Sequence, residues 1–89
     1  MRLTRKVKVK NALGLHTRPA ATIVKLLQSR KSSVFFIHKN ETINARSIMS
    51  ILMLAAKKNA VIEVIVDGED AEATMQHIVA AFEGEFGEK

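Results

Sequence analysis

Residues 6–27, KVKVKNALGLHTRPAATIVKLL, change their hydrophobic period once. Val7 and Val9 alternate with Lys6, Lys8 and Lys10, the two-residue period of a strand with one buried face. Further on, Ala20, Ile23, Val24 and Leu27 fall at the i, i+3, i+4, i+7 spacing that lays an apolar stripe along a helix. Proline lacks the N–H that a first helical turn leaves unpaired anyway, so Pro19 belongs in that turn and His16 lies at or beside the N-cap. The stretch therefore predicts a strand, a loop through Gly14, and a helix that begins at a histidine.

Beyond this unit, Gln28 to Ser33 is polar and Val34 to Ile37 is a short β-favouring run. Of its two aromatics, Phe35 and Phe36, one is expected in the core and the other covered by a neighbour. His38-Lys39-Asn40-Glu41 predicts a hairpin turn into a third strand, Thr42-Ile43-Asn44. After Ser47, the residues Ile48, Met49, Ile51, Leu52 and Leu54 take helical spacing, with Lys57-Lys58-Asn59 expected to stop the helix. Ala60 to Val66 is apolar except for Glu63, as in an inner strand. Asp67-Gly68-Glu69-Asp70 combines a turn with carboxylates suited to a helix N-terminus; Ala71, Met75, Ile78, Val79 and Phe82 mark one face of the last helix, and Gly84 ends it. The order β-α-β-β-α-β-α predicts an α+β fold, one sheet with its helices on one face.

A chain of 89 residues has room for one small core, so residues 1–89 are expected to form a single domain. With 47% hydrophobic and 26% charged residues it is globular in composition, not disordered. There is no cysteine, which excludes disulfides, thiolate metal sites and cysteine nucleophiles and suits a reducing compartment. No apolar run approaches the roughly 20 residues of a membrane span, and Met1 to Lys10 alternates charge with valine, unlike a signal peptide. The expected location is cytoplasmic. The net charge of +5 is unevenly spread: residues 1–40 hold ten Lys/Arg and no Asp/Glu, and residues 41–89 hold four Lys/Arg and nine Asp/Glu. A basic half points to an anionic partner, whether nucleic acid, membrane lipid, phosphate or an acidic protein face.

The residues around His16 favour the phosphate. Gly14 permits an unusual backbone turn, Pro19 fixes the helix entry, and Arg18 adds a permanent cation. The free N–H groups of Thr17 and Arg18 and the positive end of the helix dipole, worth about 0.3–1 kcal/mol, would receive an anion. An unperturbed imidazole titrates near pH 6.5, so at neutral pH much of it is already a competent nucleophile without a dedicated base. That suits phosphorylation of His16 itself. A metal is not expected, because His38 and His77 lie on other elements without ligand spacing and read as exposed or packing residues. No cofactor is expected either.

Gly14-Leu15-His16-Thr17-Arg18-Pro19-Ala20 closely resembles the active-site signature of the HPr family, the histidine-containing phosphocarriers of the bacterial phosphotransferase system. Asn44-Ala45-Arg46-Ser47-Ile48-Met49-Ser50 resembles the family's regulatory-serine segment, and element order and length agree from about Lys6 to Phe86. Two motifs at this separation, in the family's element order, make the resemblance specific. It implies an open-faced sandwich, a four-stranded antiparallel sheet in the order 1-4-2-3 with three helices on one face. It further implies a carrier rather than an autonomous enzyme. Enzyme I, charged from phosphoenolpyruvate, would phosphorylate Nδ1 of His16; a histidine of an EIIA-type domain would accept the group; and Arg18 would stabilise the equatorial oxygens in both transfers. Ser47, an N-cap by position, would also be the target of an HPr kinase/phosphorylase where the host has one, and Ile48, Met49 and Leu52 would supply the apolar docking face. The expected partners are thus acidic proteins met by a monomer, not nucleic acid or membrane.

Two features qualify the resemblance. Leu13 stands where sugar-type carriers often have a polar residue, and Leu13-Gly14-Leu15 with Ser50-Ile51-Leu52-Met53-Leu54 looks more like the nitrogen-type paralogue, which uses a different EIIA acceptor. The β-α-β-β-α-β order is also that of RNA-recognition motifs. That fold stacks bases on aromatics of its first and third strands, and here those strands contain none.

Overall fold

The computed structural model describes residues 1–88; Lys89, the last residue of the span expected to form one domain, lies outside the described residues. The alternating segments become a four-stranded antiparallel sheet and the periodic ones become helices. The order is β1 (Arg2–Lys8), α1 (Thr17–Leu27), β2 (Ser33–His38), β3 (Glu41–Asn44), α2 (Ile48–Met53), β4 (Val61–Asp67), α3 (Ala71–Glu83) and a 3₁₀ turn at Glu85–Gly87. The sheet order is β1-β4-β2-β3 and the three helices cover one face, as the family resemblance implied.

Alternation decides what each strand buries. Val7, Val34, Phe36, Ile62, Val64 and Val66 point into the core, where they meet Ile23 and Leu27 of α1, Ile51 of α2, and Met75, Ile78 and Phe82 of α3. Phe36 and Phe82 are fully buried and pack edge to face at 5.8 Å between ring centroids. Truncating either to alanine would cost about 3–5 kcal/mol, much of a small domain's stability.

Three local expectations need correction, for β1, α2 and Phe35. Strand β1 starts at Arg2, well before Val7, because Arg2–Lys8 pairs residue for residue with Val61–Asp67. Val9 lies just past it, still buried and still bonded through its N–H to the Ala60 carbonyl at 2.9 Å. Helix α2 ends at Met53, before Lys57, because Ala55 turns into the left-handed region at φ 50°. Phe35 is not covered: with Phe36 facing inward it must face outward, paired with Asn44 and Ile65 on the helix-free side, and it stays 36% exposed. Asp70 occupies the N-cap position of α3, but its carboxylate does not cap that helix; it accepts the backbone N–H groups of Lys31 and Ser32 and the Ser32 hydroxyl, tying the α1–β2 loop to the start of α3.

Candidate functional site

His16 is positioned by the loop between β1 and α1. Gly14 sits at φ 71°, and a Cβ there would collide with the Ala56 carbonyl and stand 2.9 Å from Lys57 Cα, so only glycine lets the loop close on the segment after α2. Leu15 locks the contact from within: it is 4% exposed and its N–H donates to the Ala56 carbonyl at 2.9 Å. His16 follows as the N-cap of α1, with extended backbone (φ −81°, ψ −168°) and a carbonyl that accepts the Ala20 N–H at 3.1 Å. Its imidazole makes no cap bond and is 31% exposed.

Helix geometry leaves the N–H groups of Thr17 and Arg18 without an intrahelical acceptor, and Pro19 has none to leave. The two orphan donors therefore stand immediately after His16 at the positive end of an eleven-residue helix, a setting that favours an anion. The Arg18 side chain is 76% exposed, free to swing onto a group held there.

Two polar residues outside the sequence-based set complete the site. The Glu88 carboxylate meets His16 Nε2 at 2.8 Å through Oε2 and 3.0 Å through Oε1. Oε1 also accepts from Asn11 Nδ2 at 2.9 Å, and the same Nδ2 donates to the Gly14 carbonyl at 2.7 Å. Asn11 is fully buried. Arg18 Nη1 lies 3.8 Å from Glu88 Oε2. The hydrogen bond from His16 holds the Glu88 carboxyl below the usual glutamate range; burial opposes this, and the Asn11 hydrogen bond and the charges of His16 and Arg18 add to it. Ala12, Leu13, His16, Arg18, Gly87 and Glu88 line a shallow depression over the imidazole. Asn11 reads locally as one more loop residue, and Glu88 lies 72 positions from His16, so neither carried a sequence signal.

The remaining candidates fall on α2 and its flanks. Ser47 is the N-cap of α2, its hydroxyl accepting the Ser50 N–H at 3.2 Å. Arg46 beside it donates to the carbonyls of Leu27, Arg30 and Ser32 at 2.7–2.8 Å, fastening that N-terminus to the end of α1. Ile48 and Met49 are exposed, at 37% and 70%. Leu52 is half-buried, packed in part against the core, and Met53 and Leu13, 68% and 74% exposed, present further apolar surface. His38 is half-buried, and His77 lies exposed beside Arg30. Among the described residues no cluster of His, Cys, Asp or Glu could hold a metal ion, and no helix is long and apolar enough to cross a membrane.

Comparison with known proteins agrees over nearly the whole chain. Residues 3–84 match the family model described as the PTS HPr component phosphorylation site. Phosphocarrier protein HPr of Chlamydia pneumoniae is 46% identical over 80 residues, covering 90% of this chain and 74% of that protein. Phosphocarrier protein HPr of Xylella fastidiosa strain Temecula1 is 38% identical over 86 residues, 97% of each. The crystal structure of HPr-C-His from Thermoanaerobacter tengcongensis superposes with a TM-score of 0.93 at 32% identity, covering 98% of both chains.

Proposed function

This chain belongs to the HPr family of phosphocarriers of the phosphotransferase system, and on that premise we propose that it accepts a phosphoryl group from phosphorylated enzyme I on Nδ1 of His16 and passes it to a histidine of an EIIA-type domain. One observation carries the site assignment: His16 stands at the N-cap of α1 with Nε2 occupied by Glu88, so Nδ1 is the nitrogen left for chemistry beside the orphan N–H groups of Thr17 and Arg18. Those donors and the Arg18 guanidinium would hold the equatorial oxygens while the group passes in line between two nitrogens. Little covalent machinery is needed, and the protein acts as a carrier that depends on its partners for turnover.

The apolar surface of Ile48, Met49 and the half-buried Leu52, extended by Met53 and Leu13 and joined by Arg18, suits successive docking on acidic partners in the cytoplasm. The exposed Leu13 keeps the nitrogen-type acceptor in view as an alternative to the sugar-type one. The test is a relay. With enzyme I and labelled phosphoenolpyruvate the protein becomes labelled, and added EIIA discharges it; a protein that takes no label from charged enzyme I is not this carrier. Relative rates with sugar-type and nitrogen-type EIIA domains assign the branch.

A further inference from the structure

We infer that Glu88 is a positioning residue for His16, its carboxylate fixing the proton on Nε2 so that Nδ1 presents its lone pair to phosphorus and so that the charge arising on the ring is met. The inference deepens the phosphocarrier reading and rests on it.

An ionised carboxylate only accepts hydrogen bonds, so a contact of 2.8 Å to Nε2 requires the hydrogen to be on that nitrogen. In the neutral imidazole Nδ1 is then unprotonated and nucleophilic. When the Nδ1 lone pair forms the bond to phosphorus, the bond from phosphorus to the donor breaks and its electron pair stays with the donor. No proton moves, and the ring becomes a cation bearing phosphorus on Nδ1 and hydrogen on Nε2. In the onward transfer the N–P electron pair returns to Nδ1 and the same neutral tautomer is restored. A carboxylate on Nε2 stabilises the cationic stage and orients the ring through both steps, the part a buried aspartate plays for the histidine of a serine protease.

The tail is built to deliver this carboxylate. Glu85, Phe86 and Gly87 all have positive φ, 56°, 55° and 77°, which reverses the chain after α3 towards the start of α1. Non-glycine residues enter that region at a cost, so the reversal must be held by contacts. Phe86 supplies one, packing edge to face on the buried Phe82 at 4.9 Å between centroids. Fully buried Asn11 supplies another, bridging Glu88 to the Gly14 carbonyl, and the Glu88 side chain is left only 10% exposed. A carboxylate so placed beside an exposed arginine and the one histidine of the signature loop is anchored from three directions.

The test combines a spectroscopic and a kinetic readout on the full chain. Nitrogen-15 NMR of His16 in the unphosphorylated protein reports which ring nitrogen carries hydrogen. The native protein is expected to be the Nε2–H tautomer, and Glu88→Ala a mixture. Glu88→Gln, whose amide oxygen can still accept from Nε2–H, should keep the tautomer but lose the charge. Phosphoryl acceptance from enzyme I should slow about tenfold or more in Glu88→Ala and less in Glu88→Gln, with affinity for enzyme I unchanged. A native tautomer balance and a native rate in Glu88→Ala would overturn the inference. So would a faster rate, which would make Glu88 a plug over the site. If instead the native protein took no label, the phosphocarrier reading would fail, while the tautomer measurement would still decide whether Glu88 sets the ring.

Discussion

The Leu15 N–H and the Ala56 carbonyl, 2.9 Å apart, join the loop that carries His16 to the loop that follows α2. Gly14 permits that approach by having no Cβ. Gly14→Ala places a methyl group against the Ala56 carbonyl at a φ of 71°, and is expected to lower stability by about 1–3 kcal/mol. Urea denaturation measures the loss. Phosphoryl acceptance should fall with it even at temperatures where the variant is folded, because His16 moves with the loop. A variant as stable as the native protein would mean that the contact does not hold the loop.

Ala55 presents the opposite case, an alanine at φ 50° where glycine would be unstrained. Ala55→Gly should therefore raise stability by about 0.5–1 kcal/mol, a rise in Tm of roughly 2–8 °C by calorimetry. A lower Tm would contradict the strain assigned to this turn.

The same residue shows where sequence reasoning stopped. Hydrophobic period located the strands and helices, because a buried face leaves its trace at every second, or every third or fourth, position, as in Val7 with Val9 and Ile23 with Leu27. Left-handed backbone at an alanine leaves no such trace, so periodicity alone carries α2 on towards Lys57. The signature loop was legible because Gly14, His16, Arg18 and Pro19 are neighbours in the chain, each with a local reason to be there. Asn11 and Glu88 join the site only through the tertiary fold, Glu88 by way of a chain reversal that no periodicity encodes. The reach of Asp70 across to Lys31 and Ser32 is non-local in the same sense.

That reach has a pH signature. Hydrogen bonds from the Ser32 hydroxyl and from the backbone of Lys31 and Ser32 lower the Asp70 carboxyl from 3.8 to about 2. The folded chain thus holds the ionised form at pH values where the unfolded chain has already taken up a proton. The stabilisation is fully present above the unfolded value and is lost as pH falls from about 3.8 towards about 2. Asp70→Asn should be less stable than the native protein at pH 6, and the gap should close over that acidic window. A gap independent of pH would remove the ionised carboxylate as its cause.

Ser47 separates a cap from a charge. Ser47→Ala removes the bond to the Ser50 N–H and should cost about 1 kcal/mol of stability, read by chemical denaturation. Asn and Asp both cap helices well, so Ser47→Asn and Ser47→Asp should fold nearly as stably as the native protein. They should differ in kinetics: Ser47→Asp places a negative charge beside exposed Met49 and should slow phosphorylation by enzyme I, whereas Ser47→Asn should not. Equal rates for the two would show that charge at this position does not control docking.

The role of Arg18 is tested by the same transfer kinetics. Arg18→Ala should slow phosphoryl transfer more than it weakens binding to enzyme I, because its guanidinium is assigned to the oxygens of the group in flight. Weaker binding with an unchanged transfer rate would make it a docking residue alone.

The most direct measurement is the position of the phosphoryl bond after incubation with enzyme I and phosphoenolpyruvate. One acid-labile, alkali-stable phosphate is expected, on Nδ1 of His16 by phosphorus and proton NMR, and none on His16→Ala. A phosphate on Nε2, or a His16→Ala protein that still takes up label, would contradict it.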